Sequence, residues 1–98
     1  MKNYFDAYME YLTYEKRYST HTVLNYQKDL QEWQLFCEKE FIRPLEVEYG
    51  EVRAYLNYCY LQKLSRSTVS RKLSSLRSFY QFLLKDNIIT NNPFSMIK

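Results

Sequence analysis

The stretch Ser65-Arg66-Ser67-Thr68-Val69-Ser70-Arg71-Lys72-Leu73-Ser74-Ser75-Leu76-Arg77-Ser78-Phe79-Tyr80-Gln81-Phe82-Leu83-Leu84 decides the fold. Its apolar residues Val69, Leu73, Leu76, Tyr80 and Leu83 recur at steps of three and four, which on a helix makes one continuous buried stripe. On the same wheel Arg71, Ser74, Ser75 and Ser78 fall on the opposite side. Hydroxyl side chains compete for backbone hydrogen bonds and weaken a helix, so their density near this N-terminus asks for a reason. Two readings fit. Small donors beside Arg and Lys at the positive end of a helix dipole suit close approach to a polyanion; a capped amphipathic helix with a solvated basic face has the same pattern.

Working outward, three more helices are expected. The first runs from about Tyr4 to Arg17, capped by Asn3, with Phe5, Tyr8, Met9 and Leu12 inward. The second starts at Ser19-Thr20-His21-Thr22 and reaches about Glu40, carrying Val23, Tyr26, Leu30, Trp33 and Cys37 on one side and Asn25, Lys28, Asp29 and Glu32 on the other. Pro44 interrupts the connection that follows. The third spans Glu48 to Lys63, with Val52, Tyr55, Leu56, Cys59 and Tyr60 inward, and the fourth ends near Asp86. Residues 87–94 read as a helix stop and extended exit, and Ser95-Met96-Ile97-Lys98 as a strap or linker with no structure of its own. No stretch alternates with period two, so the class is all-α, a compact four-helix bundle.

Ser19-Thr20-His21-Thr22-Val23 and Ser65-Arg66-Ser67-Thr68-Val69 share Ser-x-x-Thr-Val at an offset of 46. The offset also pairs Leu30 with Leu76, Trp33 with Phe79 and Phe36 with Phe82. Either the second and fourth helices are built alike, their positive N-terminal ends converging on one surface, or Ser-x-x-Thr is simply a cap used twice.

With 98 residues and a net charge of +3, the chain is sized for one domain burying ~60–70% of its unfolded surface. The charge is uneven: residues 1–51 hold six cations against ten acids, residues 52–85 seven cations and no acid. Nucleic-acid binding follows from that basic stripe. Arg66, Arg71, Lys72 and Arg77 are the expected phosphate contacts, with Asn25, Lys28 and Arg71 for base edges. Lys72 lies beside the apolar stripe, where its stem can pack while its head reaches solvent. Cys37 and Cys59 fit reduced core residues, with a disulfide still open. His21 has no ligand cluster around it, and the single glycine rules out a phosphate-cradling loop, so no metal, cofactor, small-molecule substrate or catalytic constellation is expected. With no signal or membrane segment, the cytoplasm is the default.

These residues resemble a known family. Ser19-x-x-Thr22-x-x-x-Tyr26-x-x-Asp29-Leu30, then Ser65-x-x-Thr68-Val69-x-Arg71-x-Leu73-Ser74-Ser75-Leu76-Arg77-x-Phe79-Tyr80, closing on Asn92-Pro93, is similar to the N-terminal core-binding domain of tyrosine recombinases of the Xer and phage-integrase groups. The resemblance implies a SAM-like four-helix domain over residues 1–90, with 91–98 beginning a linker to a catalytic domain absent from this chain, which is then no enzyme by itself. It implies double-stranded DNA and other recombinase protomers as partners, in chromosome dimer resolution or element integration. His21, Thr22, Asn25 and Lys28 on the second helix and Ser67, Thr68, Arg71, Lys72 and Ser75 on the fourth are the positions carried over for DNA. The family's Ser or Thr at the start of the third helix is Glu48-Tyr49-Gly50 here, which leaves that helix cap open. The rival expectation is a helical protein-interaction module using Tyr11, Tyr14 and Tyr58.

Overall fold

Each helix begins where the sequence puts an acceptor in front of it. In the computed structural model, which describes residues 3–97, Asn3 accepts the Phe5 and Asp6 N–H groups and starts α1 (Tyr4–Glu10), which continues as a π-helical turn over Tyr11–Glu15. Ser19 caps α2 (Thr20–Lys39) and Ser65 caps α4 (Arg66–Lys85). The open question at α3 (Tyr49–Leu61) is answered by Glu51, whose carboxylate reaches back to accept the Glu48 N–H at 2.9 Å. A 3-10 turn, Pro44–Glu46, lies between α2 and α3. Among the described residues there is no strand, and the fold is the expected all-α bundle.

The helices also end alike. With glycine spent at Gly50, the left-handed residue after each helix is Arg17, Phe41, Lys63 or Asn87, all at φ 55–60°. The next N–H folds back across the helix end: Tyr18 to Leu12 (3.0 Å), Ile42 to Cys37 (2.8 Å), Leu64 to Cys59 (3.5 Å) and Ile88 to Leu83 (2.9 Å). Tyr18, Ile42, Leu64 and Ile88 then pack onto the core, the apolar contact that accompanies this type of helix end.

Trp33 of α2 sits at the centre of that core, fully buried, with Tyr55, Tyr80 and Phe94 set edge-on around it at 5.0–6.5 Å. Its indole N–H donates to the Tyr80 hydroxyl (3.1 Å), which donates in turn to the Pro44 carbonyl (2.6 Å). One buried chain of hydrogen bonds thus fixes α2, α4 and the α2–α3 connection together. Cys37 and Cys59 are both buried, free thiols.

Three expectations give way here. Tyr60, placed inward from sequence, is exposed, because the buried stripe of α3 is the narrower Val52–Tyr55–Cys59. The closing segment is not an extended exit followed by a bare strap: Phe94 is fully buried against Trp33 and Tyr80, and Asn92 donates to the Arg77 carbonyl (3.0 Å) and accepts the Phe94 N–H (2.9 Å). Arg77 ties the segment down through the Phe94 carbonyl (3.2 Å) and the Ile97 carbonyl. Thirdly, the side of α4 opposite its stripe is only partly free: Arg71 and Ser74 are exposed, but Ser75 and Ser78 are taken up by neighbouring helices. The Ser78 hydroxyl accepts from Tyr8 of α1 (2.6 Å) and that of Ser75 donates to Asp29 of α2 (2.7 Å). Met1, Lys2 and Lys98, which bound the two segments expected from sequence, lie outside the described residues.

Candidate nucleic-acid interface

The two Ser-x-x-Thr starts are the same structure twice. Ser19 Oγ accepts the Thr22 N–H at 3.2 Å and donates to Thr22 Oγ1 at 3.0 Å; Ser65 does the same for Thr68 at 3.2 and 2.9 Å. In each, the threonine oxygen is already accepting, so its own proton is free to be donated outward. Backbone N–H groups of the first turn stay unpaired beside it, at the positive end of a 20-residue helix.

The offset of 46 also carries into the packing. Asp29 and Ser75 are equivalent positions under it, and they bond to each other, so α2 and α4 cross nine residues in from both starts. At 1.5 Å per residue each N-terminus stands roughly 14 Å from the crossing. The outward positions match as well: His21 with Ser67, Asn25 with Arg71, Lys28 with Ser74. His21, Lys28, Arg66, Ser67, Arg71 and Ser74 are exposed, while Thr22, Asn25 and Thr68 are half-buried.

Beneath this surface lies a cluster the sequence reading divided wrongly. Asp29, read as solvent-facing, is fully buried; Arg71 meets its carboxylate at 3.2 Å and Lys72 at 3.4 Å, and Lys72 also pairs with Glu32. Lys72 and Ser75, carried over as DNA contacts, are buried and turned into this cluster. The reason is width: α2 covers α4 on the flank of its stripe as well as along it, and only the aliphatic stem of a lysine at that edge packs without a counter-charge. Arg71 holds Asp29 with one nitrogen and keeps 42% of its side chain exposed, so the rest of its guanidinium fork faces outward in an orientation set from below. Arg77 is half-buried and spent on backbone carbonyls some two turns from this surface. Sequence reasoning set Ser74 on the outer side of the helix, where it lies, but did not name it among the DNA contacts, although the offset that pairs it with Lys28 was the signal. Tyr11 and Tyr58 of the interaction-module reading are half-buried, packed on Phe82 (5.0 Å) and Phe36 (5.1 Å); Tyr14 is exposed.

Residues 5–87 match the family model of the phage integrase N-terminal SAM-like domain. The chain belongs to this family. The SAM-like domain is 48% identical over 89 residues to a tyrosine recombinase XerC of Halalkalibacterium halodurans, covering 90% of the chain and 29% of the relative. It is 39% identical over 98 residues to the tyrosine recombinase XerC of Bacillus subtilis (99% and 32%) and 44% identical over 91 residues to that of Listeria innocua (92% and 30%). The domain thus spans about a third of the length of the curated relatives it matches. No solved structure matches it. Among the described residues of the SAM-like domain there is no helix long and apolar enough to cross a membrane, and no cluster of His, Cys, Asp and Glu able to hold a metal.

Proposed function

We propose that this chain is the DNA-binding arm of a tyrosine recombinase: it grips duplex DNA with the N-terminal ends of α2 and α4 and leaves strand cleavage to a separate catalytic domain of the parent protein, in the cytoplasm. The observation that carries the reading is the pair of identically capped helix starts, equidistant from the α2–α4 crossing, with Lys28, Arg71 and Ser74 exposed and Asn25 half-buried beside them. First-turn amides, threonine protons, Lys28 and Arg66 suit phosphates; Asn25 and the oriented fork of Arg71 suit base edges. Lys72 and Ser75 support the interface from within, through the Asp29 cluster. The recombinase names of the relatives add to this reading, and chromosome dimer resolution or element integration is the setting it proposes.

The test is fluorescence anisotropy of a labelled duplex titrated with the chain across a salt series. Engagement of about four to six phosphates gives a log–log slope near −4 to −5. Arg71→Ala costs about 1–3 kcal/mol if the fork reads a base, and Asn25→Ala relaxes sequence preference. Absence of binding at low salt refutes the proposal and favours the interaction module, for which the exposed Leu35, beside Tyr58 and Gln62 in a cleft between α2 and α3, is the supporting observation.

A further inference from the structure

The outer face of α4 does not stop being polar where the candidate interface ends. Ser67, Arg71, Ser74, Ser78, Gln81 and Lys85 follow one another at steps of three and four along one side of the helix. Its second half forms one wall of a cleft of about 340 Å³ whose other wall is the π-helical turn of residues 11–15 and the residue after it; Tyr11, Lys16, Ser74, Arg77, Gln81 and Lys85 line it. Three cations face this cleft and no acid lines it.

The ion pairs among the described residues involve Arg43, Arg71 and Lys72, and none involves Lys16, Arg77 or Lys85. Among the described residues the Arg77 guanidinium bonds to neutral carbonyls, those of Phe94 and Ile97, which hold it in place without a counter-charge. Lys16 Nζ lies 5.9 Å from the centre of the Tyr11 ring. Lys85 offsets the negative end of the α4 dipole, about half a charge, which leaves the cleft strongly positive. A concave surface with one sign of charge and low-dielectric walls concentrates anions.

We propose that this cleft is a second phosphate-binding site, for the sugar–phosphate backbone of DNA running past the α2/α4 face. The proposal rests on the DNA-binding reading above and extends it. Arg71 to Lys85 is fourteen residues, about 21 Å of helix, or roughly six base pairs of a duplex lying along it. Continuity through Ser74, which belongs both to the outward face and to the cleft wall, is what assigns the occupant to the same nucleic acid.

The test compares the parent chain, Arg71→Ala and the double variant Lys16→Gln/Lys85→Gln, the latter pair on surface positions, by anisotropy on a duplex of about 30 base pairs across a salt series. Each lost phosphate contact lowers the slope by about 0.9, so the double variant is expected to bind more weakly with a slope smaller by about 2, while its melting temperature falls by a few degrees at most, the share that Lys85 owes to the helix dipole. A double variant with the parent's slope, while Arg71→Ala weakens binding, overturns the cleft and leaves the DNA-binding reading intact. No duplex binding by the parent overturns both. Titration with inorganic phosphate at constant ionic strength, followed by amide shifts of Ser74 and Gln81, separates the sources. Shifts that the double variant abolishes, with no change in duplex slope, assign the cleft to a free phosphate and overturn the nucleic-acid occupant.

Discussion

Replacing Lys72 by methionine separates the buried cluster from the solvated reading of that lysine. Methionine keeps the unbranched stem, so packing against the α4 stripe survives and only the charge is lost. Asp29, with no exposed surface, then has Ser75 at 2.7 Å and Arg71 at 3.2 Å, and the neutral group of Asp29, Glu32, Arg71 and Lys72 becomes one of net charge −1. Removing one partner of a buried pair costs about 3–5 kcal/mol. Glu32, whose side chain is 41% exposed, can rehydrate, which puts the expected loss near the lower figure, about 3 kcal/mol. For a domain of this size that is a fall in melting temperature of roughly 12–24 °C, measurable by thermal or urea denaturation followed by circular dichroism. Asp29→Leu added to Lys72→Met should recover part of the loss, because an apolar pair carries no desolvation debt. A single variant within about 1 kcal/mol of the parent, the range of an ordinary surface substitution, would refute the argument and return Lys72 to solvent.

Phe94→Ala should destabilise by about 3–5 kcal/mol through the hole it leaves beside Trp33 and Tyr80, with faster proteolysis after residue 91 as a second readout; an unchanged urea midpoint would mean that the closing segment only rests on the core. Phe41→Gly should do the opposite: the side chain is 95% exposed at φ 58°, so relief of about 1–2 kcal/mol of left-handed strain exceeds the roughly 0.5–1 kcal/mol of added chain entropy, and a lower melting temperature would contradict this. Stability should hold up to about pH 9 and fall above it. Burial pushes the Cys37 thiol up to about 12 from its ordinary 9.0, and burial likewise raises the phenols of Tyr8, Tyr55 and Tyr80. The folded state therefore keeps protons that the unfolded chain releases as pH rises, and urea midpoints at pH 8, 9.5 and 10.5 should decline in that order.

Helix starts were legible because a cap is a local event: Ser19 and Ser65 bond within three residues of themselves, and nothing distant alters that. The centre of each buried stripe was legible for the same reason, since periodicity is a property of one helix. What periodicity lacks is the number of neighbours. Asp29, Lys72, Ser75 and Ser78 all lie at the flanks of their stripes, where a second helix decides between solvent and interior, and their chemistry suits either. Tyr60 failed in the other direction, an aromatic at a flank that no neighbour covers. Phe94 has no period to belong to; its burial comes from a turn made by Asn92 and a gap left beside Trp33, which no stretch of neighbouring sequence records.

The equal crossing of α2 and α4 has a bearing on polarity. Two rods that cross at the same distance from their starts are exchanged by a half-turn about the line through the crossing, and so are the two strands of a duplex about any of its own dyads. Their common scaffold alone would therefore let the domain sit on DNA in either of two opposed directions with the same grip. What breaks the tie is the difference between partners under the offset: His21 against Ser67, Asn25 against Arg71, Lys28 against Ser74. On the proposed function, those three unequal pairs are what tell the protein which way along the DNA it is facing.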